Sequence, residues 1–274
     1  MSEKKVLNTG PSPRGWHRLQ GVLECPQKYA FQHELGLQAM DSTSPPLVKG
    51  SMMHLALAQH YNRMKNREAD LDPDEWEEPI VAMHRQAEEE PAWKEYLDQI
   101  TDCFHAYLAH YPVEAFKVLE VEQLAYTKIF DKYLFTGRFD LVVEDRGGRV
   151  WVVDHKTTTR IMSRQVKYYG ISGQLVGYAY MGRAIYGDRF GGMLLNQVQH
   201  TGKFQFKRVR LPPAPNLAER FPYTVRDAEE RIKELQNSGR KPTEWPMAMN
   251  ELTCYHRYGA CKFLESCQWG VEQK

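Results

Sequence analysis

Two short runs of the sequence place charged side chains at the ends of strand-like patterns. The first is Gly137 to Asp140 (GRFD), and the second, fourteen residues after Asp140, is Asp154-His155-Lys156 (DHK). A DRGG turn joins the two apolar, β-branched runs that carry them, which predicts a hairpin with Asp140 and Asp154 side by side. Two carboxylates at one point offer oxygen ligands to a divalent cation, and Lys156 lies on the same strand face as Asp154.

The alternative for these residues is a solvated sheet edge with a surface ion pair, which contributes roughly 0–1 kcal/mol. The run Val150 to Val153 (VWVV) argues against that alternative. Four consecutive apolar residues indicate a strand that is buried on both faces, so Asp154 follows directly from the core. The sequence therefore favours a metal site that handles a negatively charged substrate.

Two further patterns are ordinary when each is taken alone. His54 lies in a helical pattern from Leu47 to Tyr61, where a histidine satisfied within the core is common. Gln174 and Tyr178 are four residues apart, so they share one face of a helix predicted from residue 165 to 186. By themselves these residues predict no chemistry.

Together, four motifs in order resemble the PD-(D/E)XK nuclease superfamily. Within it they resemble the RecB-like exonucleases, a group that includes the CRISPR-associated RecB-like nucleases and the AddB nuclease domain. The motifs are GSMMH at 50–54, GRFD at 137–140, DHK at 154–156 and Q-x-x-x-Y at 174–178, and they cover most of the chain. The resemblance implies an α/β, restriction-endonuclease-like fold in which a central mixed sheet is flanked by helices.

The resemblance also implies a Mg²⁺ or Mn²⁺ cofactor. Phosphodiester hydrolysis needs an activated water and stabilisation of developing negative charge, which a bound divalent metal supplies. A histidine in the ligand shell hints at manganese, because imidazole suits Mn²⁺ better than Mg²⁺. The implied metal ligands are His54, Asp140, Asp154 and the backbone carbonyl of His155, and the implied catalytic residues are Asp140, Asp154, Lys156, Gln174 and Tyr178.

A glutamate on the strand before the GRFD motif is a further candidate. Glu120 and Glu122 lie in the strand pattern from Phe116 to Phe130, and strand alternation places both on one face. RecB-like proteins often carry a glutamate there, so one of the two could assist the metal through water. If that face is solvated, neither does, and the sequence leaves the choice open.

Four cysteines form a second constellation. Cys254, Cys261 and Cys267 cluster near the C-terminus, while Cys25 lies far upstream. Thiolates select zinc or an iron–sulfur cluster, and the missing C-x-x-C spacing disfavours zinc. RecB-like nucleases with an iron–sulfur staple place one cysteine before the core and three after it, so the resemblance implies a structural [4Fe–4S] cluster. The fifth cysteine, Cys103, is expected to be an ordinary buried thiol.

Composition limits the class of protein. The chain has 274 residues, 42% of them hydrophobic, a formal charge of +1 and no apolar run near eighteen residues, which predicts a non-membrane chain of one large domain or of a core with an elaboration. The polar first ten residues are not a signal peptide, so we expect a cytoplasmic protein of bacterial, archaeal or phage origin. No Walker A pattern occurs, so ATP coupling would come from a helicase, recombination or CRISPR partner.

The predicted elements divide the chain into three parts of one composite domain. Residues 1–115 form an N-terminal helical region, 116–239 the nuclease core, and 240–274 a C-terminal iron–sulfur segment. Helices are predicted at 16–37 with a break near Pro26, 47–65, 74–89, 93–111, 165–186 and 224–237, with a Pro-rich break at 212–215, and strands at 116–130, 133–144, 150–154, 192–199 and 204–211.

The function these features predict is a metal-dependent DNA nuclease, favoured as an exonuclease on single strands or duplex ends. The alternatives are an endonuclease or nickase of the same superfamily, a DNA-binding subunit with a decayed site, and a zinc-stapled structural protein. Net charge near zero does not oppose DNA binding, since local basic patches decide it. The candidate DNA contacts are Arg160, Arg164 and Lys167 after the DHK motif, and Lys203, Lys207, Arg208 and Arg210 on the last strand.

Overall fold

The computed structural model of the chain describes residues 5, 7, 10, 12–37, 44–211, 214–256 and 259–270. Of the predicted Pro-rich break, Pro212 and Pro213 lie outside these residues. The described helices are α1 (Trp16–Glu24), α2 (Pro26–Tyr29), α3 (Pro45–Glu68), α4 (Pro79–Glu89), α5 (Leu97–His110), α6 (Ser163–Gly170), α7 (Gly173–Tyr186), α8 (Pro215–Gln236), α9 (Glu251–Cys254) and α10 (Leu264–Trp269), and the strands are β1 (Phe116–Ile129), β2 (Tyr133–Asp145), β3 (Val150–Thr158), β4 (Phe190–Gln199), β5 (Gln205–Leu211), β6 (Tyr255–His256) and β7 (Gly259–Ala260).

The five long strands form one mixed sheet in the order β1-β2-β3-β4-β5. Strands β3 and β4 are parallel, and every other neighbouring pair is antiparallel. Helices α6 and α7 make the crossover between the two parallel strands, as a parallel connection requires. The predicted central mixed sheet with flanking helices is therefore confirmed, and β6 and β7 form a separate two-stranded ribbon.

The sheet is buried on both faces around β3. Val150 and Val152 pack into an apolar cluster with α1, α7 and α8, whereas Trp151 and Val153 pack into a second cluster with α3, α4 and α5. Alternate residues of one strand thus serve two cores, which explains the uninterrupted apolar run. Burial on both faces fixes the register of β3 and of the charged residues that follow it.

Several predicted elements differ from the structure, among them three in and around the sheet. The helix predicted at 74–89 begins at Pro79, and the one predicted at 93–111 is a 3₁₀-helix up to Tyr96 and an α-helix from Leu97. Strand β3 continues to Thr158 rather than ending at Asp154, because parallel pairing with β4 supplies hydrogen bonds up to that residue. The helix predicted from 165 to 186 is two helices, since Ser172 has an extended backbone and begins α7 afresh. Helix α8 begins at Pro215, nine residues earlier than predicted, and runs through Pro222 because the neighbouring Phe221 is buried in the core.

Arg208 is a structural residue rather than an exposed DNA contact. Its guanidinium bonds both carboxylate oxygens of Glu114, and their side chains are only 16% and 4% exposed. The guanidinium also donates to the Tyr107 hydroxyl at 2.7 Å and lies 3.7 Å from the centre of the Tyr111 ring. This arrangement joins β5 to α5 and to the segment before β1.

We predict that Glu114→Ala lowers the free energy of unfolding by about 3 kcal/mol, because it leaves the Arg208 charge buried without a partner. Glu89→Ala is the control, since Glu89 pairs with Arg85 on the surface and such a pair contributes about 0.5 kcal/mol. Urea unfolding of both variants measures the difference. Equal losses would contradict a structural role for the Arg208 pair.

Candidate active site

Three side chains from different elements meet beside the sheet. His54 on α3, Glu122 on β1 and Asp140 on β2 each offer one ligand atom, and these atoms lie within 4.8 Å of one another. The His54 Nδ1 atom is 3.7 Å from Asp140 Oδ2. A nitrogen and two carboxylate oxygens at this spacing are a donor set suited to a divalent cation such as Mn²⁺.

The packing of α3 against β3 aims His54 at the carboxylates. A Cβ atom on Gly50 would lie 3.2 Å from Thr157 Oγ1, so this glycine allows close approach of the helix, and His54 follows one turn later on the same face. His54 Nε2 lies 2.9 Å from the His155 carbonyl oxygen. Because a carbonyl only accepts, Nε2 carries the proton, and Nδ1 keeps a lone pair for a ligand.

Glu122 reaches Asp140 through two backbone irregularities in β1. The register with β2 shifts by one residue between Val118 and Glu120, after which Glu122 falls between the pairs Val121–Leu141 and Gln123–Phe139, level with Asp140. Glu122 also adopts a left-handed backbone with φ of 50°, and its carbonyl accepts a hydrogen bond from Arg138 Nη1 at 3.2 Å. Glu120, by contrast, pairs with Lys65 at 2.7 Å and is half-exposed. Of the two glutamates that the sequence left open, Glu122 is the one beside Asp140.

Neighbouring positive charges compensate the carboxylates only in part. Burial, followed by the negative charge of Asp140, raises the pKa of Glu122 to about 8, although Arg138 opposes this rise. Burial also raises the pKa of Asp154, with Asp140 adding to the shift and Lys156 opposing it. A divalent cation would remove this repulsion, so the residues fit a metal site.

Asp140 and Asp154 meet where backbone pairing between β2 and β3 stops. The last paired residues are Leu141 and Val153. Beyond them, the backbone amide of His155 donates to Asp140 Oδ2 at 2.7 Å, so a side chain takes the place of a backbone acceptor. The Asp154 side chain is 1% exposed, and its Oδ2 atom has no aligned hydrogen-bond donor. The Lys156 ammonium lies beside this oxygen, so a buried carboxylate already meets one positive charge at this point.

Lys156 connects the acidic residues to α7. Its ammonium bonds Asp154 Oδ1 at 3.1 Å, lies 2.8 Å from Asp154 Oδ2, and is 3.4 Å from Gln174 Oε1. Gln174 Nε2 in turn donates to the Tyr178 hydroxyl at 3.2 Å. Burial alone would lower the pKa of Lys156, but the charges of Asp154 and Asp140 outweigh it and hold the pKa above its usual range.

The glycine of the GRFD motif is required by the packing of Tyr178. A Cβ atom on Gly137 would lie 2.4 Å from Met181 Cε and 2.7 Å from Tyr178 Cε1. The Tyr178 ring also packs edge-to-face on Phe139, with the ring centres 5.2 Å apart. Gly137 and Phe139 therefore determine how closely α7 approaches the sheet and where Gln174 meets Lys156.

Sequence reasoning missed the polar contacts behind His155. Asn196 on β4 lies 2.8 Å from His155 Nδ1 and donates to the Tyr107 hydroxyl at 3.1 Å, while the Tyr61 ring stacks on the imidazole. Burial lowers the pKa of His155 to about 3, so the ring is neutral and accepts from Asn196. These contacts fix the backbone of His155. Its amide donates to Asp140, and its carbonyl accepts from His54. The sequence feature that could have indicated these contacts is Asn196, a polar residue within the apolar run of β4.

The four cysteines line one cavity that is separate from the acidic group. Cys25, Cys254, Cys261 and Cys267 are free thiols that border a space of about 240 Å³. Burial raises the pKa of Cys267 to about 11, and the other three thiols add to that rise. Four free thiols around an apolar cavity fit a thiolate-bound metal centre. Cys103 lies elsewhere, fully buried on α5, and its Sγ contacts the Gln199 carbonyl.

Two solved structures are similar to this chain over most of its length. One, described as a putative exonuclease from Eubacterium rectale, is 13% identical with a TM-score of 0.49 and covers 91% of this chain and 82% of its own. The other is the crystal structure of SSO0001, at 16% identity and a TM-score of 0.31, covering 78% and 85%. Both are too distant to support an argument about function, and no curated protein matches this sequence.

Family membership follows from the sequence match and agrees with the site. None of the helices in the described part of the chain has the length and apolarity that crossing a bilayer requires. The sequence model of the PD-(D/E)XK nuclease superfamily matches residues 16–268, a span that includes every motif and all five cysteines. The mixed sheet that presents Asp140, Asp154 and Lys156 is the arrangement expected of such a fold. The chain therefore belongs to the PD-(D/E)XK nuclease superfamily.

Proposed function

We propose that this protein is a Mg²⁺- or Mn²⁺-dependent DNA nuclease that degrades DNA from ends. The observation that carries the nuclease proposal is the buried Asp154–Lys156 pair beside the group formed by His54, Glu122 and Asp140. The preference for ends rests on the ordered motifs that resemble RecB-like exonucleases. A helicase or recombination partner stays a prediction of the same resemblance.

The metal would be held by His54 Nδ1 and by the carboxylates of Glu122, Asp140 and Asp154. When bound, it supplies a Lewis acid that polarises the phosphodiester and lowers the pKa of a water. The His155 carbonyl, predicted as a ligand, accepts the His54 hydrogen bond and so acts by orienting the imidazole. A mixed nitrogen and oxygen donor set favours Mn²⁺ over Mg²⁺.

The protein's own groups position the reaction. The Lys156 ammonium, fixed by Asp154 and Gln174, can orient the attacking water and offset negative charge on the phosphate oxygens. Gln174 and Tyr178 act mainly by holding Lys156 in place. Their side-chain hydrogen bonds are with each other and with this lysine, so the predicted substrate-side role becomes a positioning role in the proposal.

We predict that His54→Ala and Glu122→Gln each weaken Mn²⁺ binding by about tenfold or more, because each removes a proposed ligand. Glu120→Gln is a matched control on the same strand, since Glu120 pairs with Lys65 outside the group. Isothermal titration with Mn²⁺ gives the affinities. If His54→Ala binds Mn²⁺ with unchanged affinity, His54 is a core histidine and not a metal ligand.

We predict that Asp154→Ala and Lys156→Ala each lower the cleavage rate by about 10²-fold or more while DNA binding persists, because both groups act on the transition state. Lys117→Ala, on the exposed start of β1, should cleave at the wild-type rate. Single-turnover cleavage of end-labelled DNA measures the rates. Near-normal turnover by either active-site variant would refute their assignment.

Linear and circular substrates distinguish the modes of cleavage. With Mn²⁺ or Mg²⁺, the protein should degrade end-labelled single-stranded DNA and leave circular DNA intact. Cleavage of the circle would indicate an endonuclease or nickase of the same superfamily. Binding without cleavage of any DNA would indicate a non-catalytic subunit, contrary to the proposal.

The cavity lined by the four cysteines is proposed to hold a structural [4Fe–4S] cluster. The cysteine pattern supports this proposal: one cysteine precedes the core, three follow it, and no C-x-x-C spacing typical of zinc sites occurs among them. The cluster would tie Cys25 to the C-terminal cysteines.

We predict that serine at Cys25, Cys254, Cys261 or Cys267 removes iron and lowers stability, whereas Cys103→Ser keeps the iron. A cross-link from Cys25 to the C-terminal trio closes a loop of more than 200 residues, which in theory stabilises by about 5 kcal/mol. Iron content and visible absorbance of protein purified without oxygen measure the outcome. Full iron in Cys25→Ser, or colourless wild-type protein that contains zinc, would contradict the cluster.

A further inference from the structure

A long stretch after the DHK motif contains no acidic residue. Between Asp154 and Asp188 there is no Asp or Glu, although a stretch of that length would hold about four at the chain's average of 35 in 274. The same stretch contains five Lys and Arg residues. Lys156 and Arg183 pair with Asp154 and Asp188 at the two ends of the stretch, so the unbalanced positive charge is that of Arg160, Arg164 and Lys167, on and just before α6.

Helix α6 is anchored next to Lys156. Gln165 Oε1 accepts from Gln197 on β4 at 3.1 Å, and Gln165 Nε2 donates to Thr158 Oγ1 at 3.2 Å. Gln197 is the register partner of Lys156, and Thr158 is two residues beyond it. At the other end of α6 the chain enters α7, where Gln174 contacts the Lys156 ammonium. The helix is thus held between neighbours of Lys156 in the sheet and the start of α7, which carries Gln174.

The outer face of α6 is cationic and aromatic. Arg164, Lys167 and Tyr168 lie at positions i, i+3 and i+4 and so share one face, and Arg160 precedes the helix. All four are exposed, Tyr168 to 68%. None of the three cations has a side-chain hydrogen bond or an ion pair with any residue that the structure describes. An exposed aromatic ring among cations without partners contributes nothing to core packing, and it is available to contact a bound ligand.

We propose that this surface, formed by Arg160, Arg164, Lys167 and Tyr168, holds single-stranded DNA as it enters the active site. The cations would bind phosphates, and the Tyr168 ring would stack on an unpaired base. A duplex is a poorer match, because its base faces are covered by neighbouring pairs and the exposed ring would find no partner. This inference rests on the proposed nuclease function and gives its substrate as a single strand.

Binding without turnover tests the stacking contact directly. With EDTA present, Tyr168→Ala should weaken binding of a short fluorescein-labelled single strand by about fivefold or more in anisotropy titrations, whereas Tyr168→Phe should bind like wild type. Tyr223→Ala is the control, since Tyr223 is 51% exposed on α8. On an oligonucleotide with abasic sites, Tyr168→Ala and wild type should bind with equal affinity, because no base is available for stacking. The affinity of Tyr168→Ala for duplex DNA should equal that of wild type.

Salt dependence tests the cations. For single strands, each phosphate contact contributes about 0.7 to the slope of log Kd against log salt, so Arg164→Gln with Lys167→Gln should lower the slope by about 1.4. Lys117→Gln should leave the slope unchanged. An unchanged slope in the double variant would overturn the phosphate contacts.

The outcomes separate this inference from the nuclease proposal. If wild-type protein cleaves DNA but Tyr168→Ala binds and degrades single strands normally, the surface is wrong and the nuclease stands. If wild-type protein cleaves no DNA, the nuclease is wrong, and the anisotropy measurements still decide whether the surface binds a single strand. Equal loss of duplex and single-strand binding in Tyr168→Ala would overturn base stacking.

Discussion

The hydrogen bond from the His155 amide to Asp140 joins the two halves of the candidate active site. It forms where β2 and β3 stop pairing, so the Asp140 carboxylate replaces a backbone acceptor and is fixed in direction. The carbonyl of the same residue fixes His54, and its chain neighbours are Asp154 and Lys156. One strand residue thereby positions groups from α3, β2 and β3, and the contacts of its ring with Asn196 and Tyr61 hold it still.

The site is built at a cost in stability that the rest of the fold offsets. Glu122 has a left-handed backbone that costs about 1–3 kcal/mol in a residue other than glycine. Three partly or fully buried carboxylates repel one another, and the Lys156 ammonium pairs directly with one of them, Asp154. Two apolar clusters on opposite faces of the sheet supply the compensating stability. Unbalanced negative charge concentrated at one point favours the binding of a divalent cation.

Much of this arrangement is predictable from the sequence, because its strongest signals are local. The alternation around Val150 to Val153, the turn before it and the order of the motifs predict the hairpin and the sheet. The role of Glu122 is not local, since it depends on a one-residue register shift in β1 that leaves no mark on the sequence. Arg208 was misread for a similar reason: its partner Glu114 is 94 residues away. Neither the shift nor the pairing can be derived from periodicity alone.

The central claim is that His54, Glu122, Asp140 and Asp154 surround one divalent metal. Crystals soaked in MnCl₂ and measured near the manganese absorption edge test it most directly. The account predicts one strong anomalous peak, in contact with His54 Nδ1 and with oxygens of Glu122, Asp140 and Asp154. A soaked crystal with no anomalous peak at these four residues would contradict it. So would a crystal in which manganese is bound elsewhere while the Lys156–Asp154 ion pair stays as it is.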